Sequence, residues 1–198
     1  MKLVLASTSP YRKELLSRLG LEFICIEPRV DEENLKVKLQ HLDYSPEKIA
    51  ETLSFEKGNS VFKIQTEDSL VISGDQLVAF ENQIIGKPLN FDSALEQLSR
   101  LNGKTHQLIT AITLLGPQLS AKFNHISFLK MKKLSQRELT NYVRLDNPID
   151  CSGSYKIEKN GITLFESIEC NDFTAIQGLP ILWLSNYLKG IKYEFFTV

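Results

Sequence analysis

The stretch VISGDQLVAFENQIIGKP (Val71–Pro88) decides how the rest of the chain is read. Val71 and Ile72 are β-branched and close an apolar run, so they read as the end of a buried strand. Gly74 and Asp75 follow directly, which puts a carboxylate where ligands meet the carboxyl ends of strands in α/β proteins. Leu77–Phe80 and Gln83–Ile85 read as two short strands, and Glu81-Asn82 between them as a hairpin turn. The return strand runs into Gly86-Lys87-Pro88. Glycine there permits close backbone approach, and proline stiffens the chain beside Lys87. One acid and one base carried on a short hairpin can face the same ligand. The competing reading is a turn aspartate and a solvated lysine.

Upstream, Lys2–Ala6 reads as a first strand, followed by Ser7-Thr8-Ser9-Pro10. Ser9 suits a helix N-cap and Pro10 the first helical position. Leu15, Leu16 and Leu19 form the apolar stripe, and Gly20 suits the stop. A strand feeding a hydroxyl-rich helix start is a plausible anion site. Arg12 in the first turn opposes the helix dipole, which favours an anionic partner over plain solvation. Glu22–Ile26 reads as a second strand. Asp31, Glu32 and Glu33 then form an acidic loop that is either solvated or able to offer carboxylates to Mg²⁺. Asn34–Tyr44 has no clear assignment. Ser45-Pro46 opens another helix, with Lys57 and Gly58 inside it.

Downstream, Phe91–Leu101 is helical, with Ala94, Leu95, Leu98 and Leu101 as its stripe. Gly103-Lys104-Thr105 resembles the end of a Walker A loop, but the first glycine is missing and the order is helix then strand. Gln107–Leu115 and Ala121–Met131 read as long antiparallel strands. Ser135 and Glu138 form a capping box for a helix to Arg144. In CSGSYKIE (Cys151–Glu158), Gly153 permits close approach, and Tyr155, Lys156 and Glu158 project polar groups. Gly161–Glu169 is strand-like, and Gly178-Leu179-Pro180 precedes a last apolar helix. Early alternation of strands and helices with long late strands argues for α/β with a mixed sheet.

Composition narrows the function. In 198 residues, 23 Lys and Arg oppose 24 Asp and Glu. That near balance leaves no global basic field for nucleic acid or anionic membranes, so any anion site is local. No apolar run approaches the ~20 residues of a membrane helix. Cys25, Cys151 and Cys170 are odd in number and lack metal or redox spacing, and there is no signal peptide; a cytoplasmic protein is expected. His41, His106 and His125 are scattered and read as structural or surface residues.

Six motifs stand in a recognisable order: LASTSPYRKELL (Leu5–Leu16), VDEEN (Val30–Asn34), Glu56-Lys57, SGDQ (Ser73–Gln76) with GKP (Gly86–Pro88), LNGKTH (Leu101–His106), and GSYKIE with GLP. Across nearly the whole chain this order resembles the Maf-like nucleotide pyrophosphatases. The resemblance implies a single domain over residues 1–198. Its fold would be an elongated mixed sheet flanked by helices, with two lobes and a central cleft, similar to the inosine triphosphate pyrophosphatases. It implies hydrolysis of a nucleoside triphosphate to monophosphate and diphosphate with a divalent cation, Mg²⁺ or Mn²⁺. It places Asp75 as the catalytic proton acceptor or a metal ligand. Ser7, Arg12, Lys57 and Lys87 would contact phosphates, and Glu32 would lie near the metal. Tyr11, Gln76 and Glu158 depart from the usual pattern and resemble the 7-methyl-GTP pyrophosphatase subgroup. A dTTP/UTP pyrophosphatase and a nucleotide-binding regulator of cell division are the alternatives. The expected partner is a small nucleotide, without nucleic acid or membrane, and apolar surface could support a homodimer.

Overall fold

Residues 1–65 and 68–196 are described by a computed structural model. Strand β1 (Lys2–Ala6) is buried from Leu3 onward. It pairs in parallel with β2 (Phe23–Ile26) and with β3 (Ser69–Phe80), Leu5 standing opposite Cys25 on one side and Ile72 on the other. Parallel neighbours require crossovers. Helix α1 (Pro10–Ser17) makes the first, and α2 (Glu32–His41) with α3 (Pro46–Phe62) the second. The sheet order is β2-β1-β3-β5-β6-β7, with β5 at Thr105–Gly116, β6 at Leu119–Met131 and β7 at Phe165–Glu169; β4 (Gln83–Ile85) pairs with β3. The β3–β4 and β6–β7 pairs are antiparallel, so the sheet is mixed.

The chain forms two compact units. The first draws on Met1–Gln76, Thr110–His125 and Asp172–Val198. Its sheet alternates with period two. Leu3, Leu5, Leu70, Ile72, Ile112 and Leu114 join a core with Leu15 and Leu16 of α1 and Leu184 and Leu188 of α6 (Ile181–Gly190). Val4, Ala6 and Val71 point the other way, onto Val61 of α3. The second unit comprises Leu77–Ile109 and Ile126–Asn171. It contains α4 (Phe91–Leu101) and α5 (Gln136–Asp146). Asn102 ties its two halves, donating to Leu134 O at 2.8 Å and accepting from Leu134 N at 2.9 Å.

Four local expectations change. Asp75 lies within one continuous strand of 12 residues rather than beyond a strand's end. A Cβ at Gly74 would come within 2.8 Å of Ile112 Cδ1, so glycine keeps the ladder closed where the sequence suggested a break. Glu32 and Glu33, read as loop, and the unassigned residues through His41 form α2, capped by Asp31, whose side chain accepts from Asn34 N. Tyr155 turns inward, its hydroxyl 3.1 Å from His106 Nε2 and its ring edge-on to Phe165. Residues Asn160–Leu164 form a 3-10 turn before β7, and a Cβ at Gly161 would collide with the Lys156 carbonyl. The hairpin turn is as read: Glu81 and Asn82 both have positive φ, 52° and 60°, the backbone of a two-residue primed turn.

Candidate active site

The polar contacts between α3 and β3 determine where the site's charges stand. Gly58 lets the helix backbone approach the strand: a Cβ there would lie 2.5 Å from Ser73 Oγ. Ser73 Oγ donates to Ser54 O at 2.8 Å, and Ser54 Oγ donates to Thr113 Oγ1 at 3.0 Å. Asp75 follows Ser73 by two residues and therefore shares its face of β3. Lys57 lies one turn beyond Ser54, on the same side of α3.

Lys57 Nζ stands 2.7 Å from Asp75 Oδ1 and 2.7 Å from Glu32 Oε2. Lys57 and Asp75 are both buried, while the Glu32 side chain is 47% exposed. Glu32 reaches the pair because Asp31 caps α2 and leaves Glu32 in its first turn. Asp75 Oδ2 is buried without a hydrogen-bond partner. An ionised oxygen in that state calls for a proton, a cation or water.

Arg12 belongs to the same unit. Ser9 caps α1, accepting from Arg12 N at 3.4 Å, and Ser7 Oγ accepts from Ser9 N at 3.1 Å. The Arg12 Nε donates to Gly178 O at 2.9 Å. Burial pushes the guanidinium pKa down, while the negative charges of Asp75 and Glu32 push it back up. The anionic partner expected for Arg12 is thus a field from two carboxylates, and its direct bond is to a carbonyl.

Of the other candidates, Tyr11 is exposed on the first turn of α1. Gln76 commits its amide nitrogen internally, donating to Thr110 Oγ1 at 2.9 Å and Ala175 O at 3.0 Å. Lys87 and Glu158 are exposed in the second unit. The grouped charges are therefore Arg12, Glu32, Lys57 and Asp75. Two cations and two anions leave this cluster with no excess positive charge for a polyphosphate. Among the described residues no group of three or more His, Cys, Asp or Glu could hold a metal. The donors present suit a cation that takes few protein ligands: Asp75 Oδ2 is available and Glu32 is open to solvent, whereas Lys57 fills the space between their other oxygens. Mg²⁺ typically binds one or two carboxylates and completes its shell with water and substrate phosphates.

Sequence reasoning passed over Ser54 and Thr113, and marked Gly178 only as part of GLP, not as a partner of Arg12. Serine and threonine inside regular elements carry no pattern, and the Arg12–Gly178 contact spans 166 residues.

Residues 2–191 match the family described as Maf-like protein. A 7-methyl-GTP pyrophosphatase of Bdellovibrio bacteriovorus is 48% identical over 189 residues, which cover 96% of this chain and 96% of that protein. A 7-methyl-GTP pyrophosphatase of Colwellia psychrerythraea is 35% identical, covering 94% of this chain and 91% of that one. A dTTP/UTP pyrophosphatase of Aquifex aeolicus is 37% identical, covering 97% and 96%. Among solved structures, the Staphylococcus aureus Ham1 protein has the same fold, with a TM-score of 0.51 at 15% identity over 97% of this chain and 100% of that one. With a family match and relatives that both run nearly end to end, this chain belongs to the Maf-like protein family.

Proposed function

We propose that this chain hydrolyses 7-methyl-GTP to the monophosphate and diphosphate. The observation that carries the reading is the Lys57 ammonium bridging Asp75 and Glu32 with one Asp75 oxygen left unpartnered. Such a buried, charge-coupled acid is what water activation requires. The substrate comes from two relatives' names, supported by Tyr11 and Glu158 here. A 7-methylguanine ring is cationic, so it favours an aromatic face and a nearby carboxylate. Tyr11 is proposed to stack on the ring, and Glu158 to accept from guanine N–H donors. By resemblance, Ser7 and Lys87 are assigned to phosphate contact and Gln76 to specificity.

In the proposed reaction Asp75 Oδ2 takes the proton of the water that attacks the α-phosphorus, and diphosphate leaves. Lys57 holds Oδ1 and orients the carboxylate. Arg12 offers guanidinium N–H groups to phosphate oxygens. Where Asp75 Oδ2 serves instead as a metal ligand, a divalent cation held there and by Glu32 would supply Lewis acidity and offset the triphosphate charge. Cys25, Cys151 and Cys170 form no disulfide, which suits a reducing compartment such as the cytoplasm.

The test is diphosphate release from 7-methyl-GTP, GTP, dTTP and UTP, with and without Mg²⁺ or Mn²⁺, for the native chain and Glu158→Gln. The reading expects 7-methyl-GTP to be preferred and metal to be required, with the preference lost in Glu158→Gln while other nucleotides still turn over. Preference for dTTP and UTP would favour the activity named for the Aquifex relative. Saturable binding without product would indicate a regulator.

A further inference from the structure

Arg12 is held from behind by a main-chain carbonyl. Gly178 presents that carbonyl at φ +110°, and a Cβ there would lie 3.6 Å from Arg12 Nε and 3.7 Å from its Cγ. The turn that carries Gly178 contains only the 3-10 segment Ala175–Gln177. What fixes this turn is Asp172. Its buried carboxylate accepts at Oδ1 from Thr174 N at 3.0 Å and from the Thr174 hydroxyl at 2.5 Å. At Oδ2 it accepts from Leu182 N at 2.9 Å and Trp183 N at 3.4 Å. Thr174 Oγ1 accepts from Ile181 N at 2.9 Å. Asp172 thus closes both ends of the turn.

The same carboxylate substitutes for an absent cap. Pro180 stands at the N-cap of α6 with no side-chain bond. Asp172 and Thr174 together satisfy the N–H groups of Ile181, Leu182 and Trp183, where a negative charge also meets the helix dipole. The Asp172 N–H donates to His125 Nε2 at 3.2 Å, which anchors the start of the turn. Within the turn, Ala175 O accepts from Thr110 Oγ1 at 2.9 Å and Gln76 Nε2 at 3.0 Å. Each contact to the candidate site therefore leaves this segment through a backbone carbonyl whose position depends on one acid.

We propose that Asp172 is a positioning residue for Arg12, acting through the Gly178 carbonyl, an inference that rests on reading Arg12 as a phosphate-holding cation. Guanidinium recognition of phosphate is planar and directional, so an anchored Nε sets the plane in which the other N–H groups meet oxygen. Asp172 touches no substrate in this scheme. Loosening the turn frees the guanidinium without removing its charge.

The experiment compares the native chain, Asp172→Asn, Arg12→Lys and the double variant. Affinity for inorganic tripolyphosphate in the presence of Mg²⁺ is read by calorimetry, and kcat and KM for 7-methyl-GTP with Mg²⁺ are measured alongside. Arg12→Lys keeps the charge but has no Nε–H for Gly178. Asp172→Asn is expected to weaken tripolyphosphate about tenfold when Arg12 is present, the scale of a hydrogen bond to a charged group. It should cost less than about twofold in the Arg12→Lys background, because only coupled residues depart from additivity. Thr174→Val should repeat the pattern at smaller size, and Thr174→Ser should restore affinity. If Asp172→Asn does not fold, the same cycle is run with Thr174→Val. Equal losses in both backgrounds would make Asp172 merely structural and overturn the inference alone. No tripolyphosphate binding by the native chain would overturn the reading of Arg12, and the inference with it.

Discussion

Lys57 has its ammonium 2.7 Å from two carboxylates and almost no access to water. Its contribution is better judged by what is left behind than by the pair itself. Removing one partner of a buried ion pair costs ~3–5 kcal/mol because the other charge stays buried and unpaired. Lys57→Met should therefore lower the unfolding free energy by about 3 kcal/mol in denaturant titrations. Lys57→Met with Asp75→Leu should recover much of that, and a double variant no more stable than the single one would refute the argument. Asp75→Asn keeps an oxygen for Lys57 but removes the carboxylate's charge and its capacity to act as base. Turnover should fall at least ~10²-fold with nucleotide binding still measurable, the scale of general-base catalysis. At this scale the sequence was informative about residue identity and silent about environment. Lys57 was a candidate from the Glu56-Lys57 motif, yet nothing local distinguishes it from a solvated helix lysine. Its two partners, Glu32 and Asp75, stand on a different helix and on a strand, far from it in the chain.

That helix–strand contact is the place where one element constrains another. An alanine at position 58 would gain about 1 kcal/mol of helix propensity over glycine. Its Cβ would also displace Ser73 Oγ, only 2.5 Å away, from its bond to Ser54 O. Overpacking of this kind costs typically ~1–3 kcal/mol. We expect Gly58→Ala to lower stability in the native background and to be near neutral when Ser73→Ala has cleared the space. Thermal melts of the four chains check this, and additive effects would show that the contact is not the constraint. Elements whose signals lie in adjacent residues were legible: the Ser9, Ser45 and Ser135 caps and the Glu81-Asn82 turn stand as read. Elements set by packing were not. Gly74 reads as a break, but it lies inside β3, where β5 packs so close that a Cβ would need Ile112 to shift. Helix α2 has one buried residue, Leu39, so it offers almost no apolar period to read.

Acid stability is a property of the whole molecule, because each unit contains a buried histidine that packs in the neutral form. In the second unit, His106 Nε2 meets Tyr155 O–H at 3.1 Å and its Nδ1 is buried without a partner. Burial pushes its pKa from 6.5 down to about 4. In the first unit, His125 Nε2 accepts from Asp172 N, so protonation there removes an acceptor. Burial lowers its pKa too, against an opposing pull from the Asp172 charge. Both groups bind a proton more readily unfolded than folded. Stability therefore rises with pH where only the unfolded state is protonated. For His106 that window runs from about 4 to 6.5: its contribution is complete above the unfolded value and is lost as pH falls through the folded one. The full loss is on the order of 3 kcal/mol. His106→Gln cannot take the proton and can still meet the tyrosine hydroxyl. Urea titrations at pH 7.5, 6, 5 and 4.5 should then show a clearly shallower decline for His106→Gln than for the native chain, with His125 supplying part of the remainder. Parallel curves for the native chain and His106→Gln would mean that His106 is already protonated in the folded molecule at mild pH, contrary to its burial beside Tyr155 and Phe165.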